Sequence, residues 1–193
     1  MLDAFKEWSV VVDALGRGEQ IIILRKGGIS EGRGGFRLEH SEFWLFPTLY
    51  HQQAEGVIPD VAARFRATPP PPDADTHVNL RFFARVVEAH RLESLSAAQR
   101  LRGQHVWTDQ VIAERFDWGT QQAIFAIAVR LYESRQVTKL PLVAAYGGCK
   151  SWIQLAAELS VEGASPVLSD GAFTDRLTRF RSALEGAPTP PAS

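Results

Sequence analysis

The chain has 193 residues, of which 45% are hydrophobic and 22% charged, and its net charge is −1. This is the balance of a soluble globular protein, and it argues against a protein that coats nucleic acid through a large basic excess. The single cysteine, Cys149, excludes an internal disulfide and a cysteine-rich zinc site. The N-terminus does not read as a secretory signal, and no apolar run reaches membrane-spanning length. A cytoplasmic protein without membrane contact is therefore expected.

Taken in chain order, the first third predicts a helix and a hairpin. Residues 2–15 have apolar side chains at helical spacing, although Val10-Val11-Val12 keeps a strand open for the second half. Residues 20–25 predict a buried strand. Five glycines within residues 27–35 separate it from a second strand at 36–39, so a β-hairpin is expected. Residues 43–46 extend its second strand until Pro47 ends it.

The remaining elements alternate less regularly. A short helix is expected at residues 60–67, followed by four prolines that form a stiff surface connector. Residues 78–90 alternate as a strand with Leu80, Phe82, Ala84 and Val86 on one face. Helices are expected at 95–102 and from a Thr108 or Asp109 cap to Phe116. A strand follows at 123–131, although its alanines permit a helix, and then helices at 151–158 and 173–184.

This order predicts an α+β fold with a mixed or antiparallel sheet, flanking helices and a C-terminal helix, rather than a doubly wound parallel sheet. Residues 1–160 are expected to form a single domain with a proline-rich connector at 68–73. Residues 161–186 would be a helical extension, and residues 187–193 a tail that is disordered by composition.

The segment 39–52, EHSEFWLFPTLYHQ, concentrates titratable and aromatic side chains. Its candidate acid–base or catalytic groups are Glu39, His40 and His51, with Glu42 as a further carboxylate. No established metal-ligand spacing is present, so no metal site is assigned. Just upstream, Arg25 and Lys26 precede a glycine turn that offers N–H groups and positive charge to a phosphate. A plain hairpin turn is the simpler alternative.

Two later clusters offer similar chemistry. His105 and Trp107 precede a helix, whose N-terminus favours an anion, and Trp107 would stack on a base; alternatively Trp107 packs under the first helical turn. Cys149 stands beside Lys150 at an expected helix start, which would lower the thiol pKa and favour a nucleophile. Alternatively the cysteine is a small buried hydrophobe. Trp152 completes this cluster.

Several segments together resemble a known family. KEWSVVVDAL, IIILRKGGI, EHSEFWLFPTLYHQ, HVWT and YGGCKSW occur in the order typical of the bacterial family domain of unknown function 1802, over about residues 4–155. That resemblance brings no function, and it leaves out the C-terminal helix from Phe173. Residues 78–132 also resemble part of a PUA/ASCH-like β-barrel, which implies binding of RNA or modified nucleotides; a fold does not determine function.

The resulting expectation is a cleft that binds nucleic acid or a nucleotide-like ligand, formed by the candidate residues of all three clusters. Arg25 and Lys26 would engage phosphate, while Trp107 or Trp152 stacks on a base. Glu39 and His40 would contact polar edges, with His51, His105, Cys149 and Lys150 close by. Two alternatives stay open: a metal-dependent or acid–base hydrolase such as a nuclease, and a non-catalytic regulatory or protein-interaction module. The sequence identifies no cofactor and no oligomeric state.

Overall fold

The computed structural model describes residues 2–26, 40–49, 53–119, 122–148 and 150–186. These residues form five helices and a seven-stranded sheet. The helices are α1 (Ser9–Gly16), α2 (Pro59–Ala67), α3 (Leu95–Gln99), α4 (Asp109–Asp117) and α5 (Asp170–Glu185). The strands are β1 (Leu2–Trp8), β2 (Ile22–Arg25), β3 (Glu42–Thr48), β4 (His77–Leu92), β5 (Ile124–Pro141), β6 (Trp152–Leu155) and β7 (Ser165–Pro166).

The sheet is mixed, as an α+β fold of this kind predicts. Its strand order is β2-β5-β4-β3-β1-β6, and β7 pairs with β5 beside this path. β1 and β3 run parallel, whereas the other pairs are antiparallel. The predicted fold class is therefore confirmed. No helix within the described part of the chain is long and apolar enough to cross a membrane.

The N-terminal segment is a strand followed by a helix, so the single helix predicted for residues 2–15 is wrong. Phe5 of β1 lies opposite Leu45 of β3 on one side and Trp152 of β6 on the other. α1 then buries the β-branched run 10–12. The strand therefore precedes the helix, whereas the sequence left a strand open only for the second half of this segment. The strand is stabilised by partners far along the chain that local spacing does not reveal.

The predicted hairpin does not continue into β3. β2 pairs with β5, with Ile23 opposite Ile127, while β3 lies between β1 and β4. The glycine loop and the strand predicted at 36–39 lie outside the described residues. β3 is buried on both faces, which suits an interior strand. It also runs through Pro47, which was expected to end it and which lies opposite Glu7.

β4 and β5 form a long antiparallel pair whose bulges redirect side chains. The register shifts between Leu80 and Phe82 and again between Val86 and Glu88. A bulge inserts an extra residue and so changes which face the following side chains occupy. Leu80 consequently packs in one hydrophobic cluster, while Phe82 and Val86 pack in another. The prediction that all of these residues share one face is wrong for Leu80.

Three helices follow the predictions closely. α2 and α4 are confirmed, whereas the helix expected at 95–102 ends at Gln99 and continues as turns. The hydroxyl of Thr108 caps α4 by accepting a hydrogen bond from the Val111 N–H at 3.4 Å. An isolated bridge between Val57 and Trp107 holds the segment before α2 against the segment before α4.

The C-terminal part contains one wrong prediction and one confirmed one. Residues 152–155 form β6 at the edge of the sheet, paired with β1, instead of the helix expected at 151–158. Ile153 and Leu155 point into the second hydrophobic cluster while Gln154 is exposed, which is a strand alternation too short to identify from sequence. The predicted C-terminal helix is present as α5.

Hydrophobic side chains pack in two clusters. The first core combines β1, β2 and the central strands with α1, α4 and α5, and it includes Phe5, Leu24, Phe43, Ile112 and Phe180. The second core includes Ala4, Trp44, Phe46, Leu80 and Ile153. Alternate residues of β1 and β3 therefore enter different cores. α5 belongs to the first core, and the division into residues 1–160 and 161–186 stays a prediction.

Candidate anion-binding site

The end of β2 and one face of α4 enclose a cavity of about 340 Å³, here called the anion pocket. Its α4 face repeats at positions 111, 114, 115 and 118, the spacing that places side chains on one side of a helix. β2 contributes its last residue and the residue after it. The residues that line the pocket are Trp8, Arg25, Lys26, Val111, Glu114, Arg115 and Trp118.

Arg115 is the most constrained cation of the pocket. Its guanidinium carbon lies 3.8 Å from the centre of the Trp107 ring and 5.5 Å from that of Trp8. Its Nη1 donates a hydrogen bond to the Leu24 carbonyl at 2.9 Å. Burial lowers the pKa of Arg115 to about 10; Glu7 opposes this change and the nearby Arg25 adds to it. The group remains charged at neutral pH.

Arg25, at the end of β2, and the following residue Lys26 each donate a hydrogen bond to a neutral acceptor. Arg25 Nη2 donates to the Ser151 hydroxyl at 2.5 Å, and its guanidinium lies 4.8 Å from the Phe5 ring centre. Lys26 Nζ donates to the Phe116 carbonyl at 2.6 Å. Burial lowers the pKa of Lys26, and Asp117 opposes that change. These contacts fix the positions of both side chains.

Arg25 and Arg115 differ from the eight described arginines that form an ion pair with a carboxylate. Over the described residues, neither has a carboxylate oxygen within the 4.0 Å of an ion pair. The two half-buried guanidinium groups lie close enough for Arg25 to lower the pKa of Arg115, and the carboxylate of Glu7 offsets part of this repulsion. Arginines elsewhere do pair with carboxylates: Arg17, Arg64, Arg81, Arg85, Arg91, Arg102, Arg130 and Arg181.

An exposed indole stands at the pocket. Trp118 is the residue that ends α4, and it is 68% exposed, which is high for so large an apolar side chain. Trp8 lines the same cavity and packs edge-on against Trp107 at 4.7 Å. The anion pocket therefore offers positive charge and an open aromatic face within one cavity.

A row of side chains on one face of β1 connects this pocket with a second group of aromatic rings. Asp3, Phe5 and Glu7 alternate with residues of the opposite face. Asp3 Oδ2 lies 3.1 Å from His40 Nδ1. Phe5 contacts Trp152 at 4.8 Å. Glu7 is buried, and its Oε2 has no hydrogen-bond partner among the described residues.

The sequence-predicted residues fall into three groups. Arg25 and Lys26 line the pocket, and Trp107 supports it from below with only 2% of its surface exposed. The ring centres of His40 and Trp152 lie 4.9 Å apart. Trp152 packs against Phe5, and Ser151 beside it accepts a hydrogen bond from Arg25. Lys150 is exposed and directly precedes Ser151. Glu39, His51 and Cys149 lie outside the described residues.

His105 belongs to a different cavity, of about 680 Å³, between the N-termini of α2 and α4. Burial lowers the pKa of His105 to about 4, Asp109 opposes this change and Arg115 adds to it. Its Nδ1 is buried without a hydrogen-bond partner among the residues that the structure describes. His105 is thus a neutral core histidine at physiological pH and is separate from the anion pocket.

Other features matter less for the anion pocket. A cavity of about 710 Å³ lies near the end of β3 and is lined by Lys6, His77 and the exposed apolar residues Leu49, Leu142 and Val143. No group of three or more histidine, cysteine, aspartate or glutamate side chains with the arrangement of a metal site occurs in the described ranges. The helix start expected beside Cys149 and Lys150 is absent, since β6 begins at Trp152.

Sequence reasoning missed Arg115, Trp118, Trp8 and Glu7. The helix from Thr108 was predicted, and its positions 115 and 118 are three apart, so their common face could have been read from the sequence. Trp8 and Glu7 were assigned to a helix, which concealed their relation to β2. The neutral acceptors of Arg25 and Lys26 come from residues 151 and 116, and no local pattern identifies such distant partners.

Comparison with solved structures finds proteins of low sequence identity. The crystal structure of ASCH from Zymomonas mobilis is 11% identical, with a TM-score of 0.45 over 91% of this chain and 92% of that chain. A serine-to-alanine mutant of that protein is 11% identical, with a TM-score of 0.46 over 91% of this chain and 93% of that chain. A tyrosine-to-phenylalanine mutant is 12% identical, with a TM-score of 0.43 over 91% of this chain and 95% of that chain. No curated protein matches the chain significantly.

The family comparison covers nearly the whole chain. The profile of a family described as a domain of unknown function, DUF1802, matches residues 4–179. The matched range includes most of β1, the anion pocket and Trp152, and it extends into α5, beyond the residues that carried the resemblance in the sequence. The predicted family is confirmed: this chain belongs to the DUF1802 family.

Proposed function

We propose that the anion pocket binds the phosphate of a nucleic acid or nucleotide-like ligand, while Trp118 stacks on its base. The observation that carries this proposal is that Arg25 and Arg115 face one cavity without a carboxylate partner among the described residues. Guanidinium groups bind phosphate through paired, charge-assisted hydrogen bonds. An exposed indole beside them supplies the surface on which any base can stack.

The arrangement favours a preorganised site. Arg115 is stacked on Trp107, and Arg25 is fixed by Ser151, so a ligand would not have to order these long side chains. In this proposal Trp107 positions Arg115 and does not touch the ligand. Trp152 and His40 contact each other at the other end of the β1 row, outside the lining of the anion pocket.

Binding of short RNA and DNA across a salt series tests the proposal. Affinity should fall as salt rises, because each phosphate contact releases counterions. Trp118→Ala should weaken binding by about 1–3 kcal/mol, the range for loss of a stacked base, and Trp118→Phe should weaken it less. Arg25→Gln keeps a donor for Ser151 and should also weaken binding.

Arg81→Gln is the matched control. Arg81 is exposed on β4 and paired with Glu133, outside the pocket lining. Affinity independent of salt, or equal losses in Arg25→Gln and Arg81→Gln, would contradict the proposal. Circular dichroism of each variant separates loss of binding from loss of folding.

A second candidate function is acid–base hydrolysis, favoured by the Asp3–His40 pair and by the buried Glu7 on the same face of β1. A carboxylate that orients a histidine is a common arrangement for proton transfer. Nuclease assays with and without magnesium, manganese or zinc test it. Turnover that is lost in His40→Gln but retained in Trp118→Ala would favour this candidate over simple binding.

A further inference from the structure

Glu114 and Trp118 lie one helical turn apart on the face of α4 that lines the anion pocket. The backbone N–H of Trp118 donates a hydrogen bond to the Glu114 carbonyl at 3.0 Å, so the helical geometry extends from one residue to the other. Side chains four positions apart on a helix are neighbours, with Cβ atoms about 5–6 Å apart. A flat ring that stacks on the Trp118 indole therefore has its edge within reach of the Glu114 carboxylate.

The Glu114 carboxylate retains the capacity to accept hydrogen bonds from a ligand. Its Oε1 accepts one from Gln110 Nε2 at 2.9 Å, and that partner is a neutral amide. It does not pair with Arg25 or Arg115, which have no carboxylate within ion-pair distance among the described residues. An ionised carboxylate accepts about four hydrogen bonds and donates none. A ring edge that meets Glu114 must therefore present donors.

The residues beside Trp118 also orient a ligand. Arg115 stands three positions before Trp118 and Glu114 four positions before it, so both side chains are neighbours of the indole. A ligand with its phosphate at Arg115 and its base on Trp118 can direct the edge of that base towards Glu114. The reverse orientation would bring the phosphate to the carboxylate, and two negative charges repel each other.

The four bases of RNA differ in the donors that they offer to a carboxylate. The Watson–Crick edge of guanine presents two neighbouring donors, N1–H and the N2 amino group, whereas adenine and cytosine present one amino group beside an acceptor nitrogen. Uracil presents one N–H between two carbonyl oxygens. We infer that the anion pocket selects guanine, because Glu114 accepts hydrogen bonds from N1–H and the N2 amino group of a base stacked on Trp118. This inference rests on the proposed function and names the base.

Isothermal titration calorimetry of the full chain with base-substituted probes tests the inference. The probes are short oligouridylates whose central position carries guanosine, inosine, adenosine, cytidine or uridine, together with the corresponding nucleoside 5′-monophosphates. Inosine is the matched probe, since it lacks only the N2 amino group of guanosine. The guanosine probe should bind about tenfold tighter than the inosine probe, the equivalent of one hydrogen bond to a charged group, and tighter than the other bases.

Glu114→Gln and Glu162→Gln remove the same charge at different places. Glutamine at position 114 keeps a partner for Gln110 but offers one carbonyl oxygen instead of a carboxylate, so the preference for guanosine over inosine should fall to about threefold or less. Glu162 is exposed and lies outside the pocket lining, so Glu162→Gln should keep the wild-type preference. Circular dichroism shows whether both variants fold.

Other outcomes would overturn the inference. If all central bases bind the wild-type protein with equal affinity, or if Glu114→Gln keeps the guanosine preference, guanine selection by Glu114 fails. It also fails if Glu114→Gln weakens the binding of every probe equally. In each of these cases, salt-dependent binding that Arg25→Gln weakens would leave the proposed function standing. If no probe binds to the wild-type protein, both fail.

Discussion

At the residue scale, the position of the Arg115 side chain is fixed by contacts with residues that are not its neighbours in sequence. Its guanidinium stacks on the Trp107 ring and donates a hydrogen bond to the Leu24 carbonyl. Arginine suits this place because its planar group stacks on an aromatic face and still presents donors at its edge. A lysine would keep the charge but lose the stacking, so the two residues are not equivalent here.

Gly18 is a residue whose replacement should destabilise the fold. It follows α1 with a φ of +68°, and an added Cβ would lie 2.5 Å from Leu168 Cδ2. Gly18→Ala should lower the free energy of unfolding by about 1–3 kcal/mol, from left-handed strain and overpacking. Urea denaturation measures the change. Gly171→Ala is the matched control, because nothing lies within 4 Å of its added Cβ, and a comparable loss there would contradict the explanation.

His105 should make stability depend on pH. Burial lowers its pKa in the folded protein to about 4, whereas the ordinary value is 6.5. Between these values the unfolded chain binds more protons, so protonation favours unfolding. The contribution is complete above about pH 6.5 and is lost as pH falls towards 4. The difference between the two pKa values corresponds to about 3 kcal/mol.

The measurement is the free energy of unfolding from pH 7 to pH 4, for the wild type and for His105→Gln. The variant should start less stable and lose about 3 kcal/mol less over this range. Parallel curves for the two proteins would show that His105 is not buried in its neutral form.

At the scale of elements, α5 is joined to the first core rather than lying on the surface alone. Phe180 is fully buried, and Arg130 of β5 donates to the Leu168 carbonyl at 2.8 Å just before the helix. Phe180→Ala should lower the free energy of unfolding of the whole chain by about 3–5 kcal/mol. Asp175→Ala, on the exposed face of α5, should change it by less than about 0.5 kcal/mol.

Thermal unfolding followed by circular dichroism distinguishes two arrangements. One transition that shifts to lower temperature in Phe180→Ala indicates that α5 folds with the rest of the chain. An unchanged main transition, with only a small separate loss of helix signal, would support the predicted division into a domain and a helical extension.

Local pattern was sufficient for long elements and insufficient for short ones. The alternation of residues 78–90 and the Thr108 cap predicted β4 and α4, because many residues contribute to each signal. β1 and β6 were predicted as helices, since seven and four residues carry little periodicity and their stability comes from pairing with each other and with β3. The candidate site followed the same rule: Arg25 and Lys26 were identified, but Arg115 and Trp118 were not.

At the scale of the whole molecule, the strand order predicts which strands resist unfolding and which open first. β4 and β5 pair along most of their length and are central in the strand order. Hydrogen exchange measured by mass spectrometry should therefore be slowest in residues 80–92 and 124–133, which open only with global unfolding. β6 and β7, at the margins of the sheet, should exchange faster. Slowest exchange in β6 would contradict the strand order.

β1 places consecutive side chains on opposite faces of the sheet: Lys6 lines the cavity near the end of β3, whereas the carboxylate of Glu7 acts on Arg115. Because strand side chains alternate, inserting or deleting one amino acid before these residues in β1 would exchange the faces that Lys6 and Glu7 occupy. We therefore expect relatives in this family to vary in length outside β1 and to keep its spacing intact.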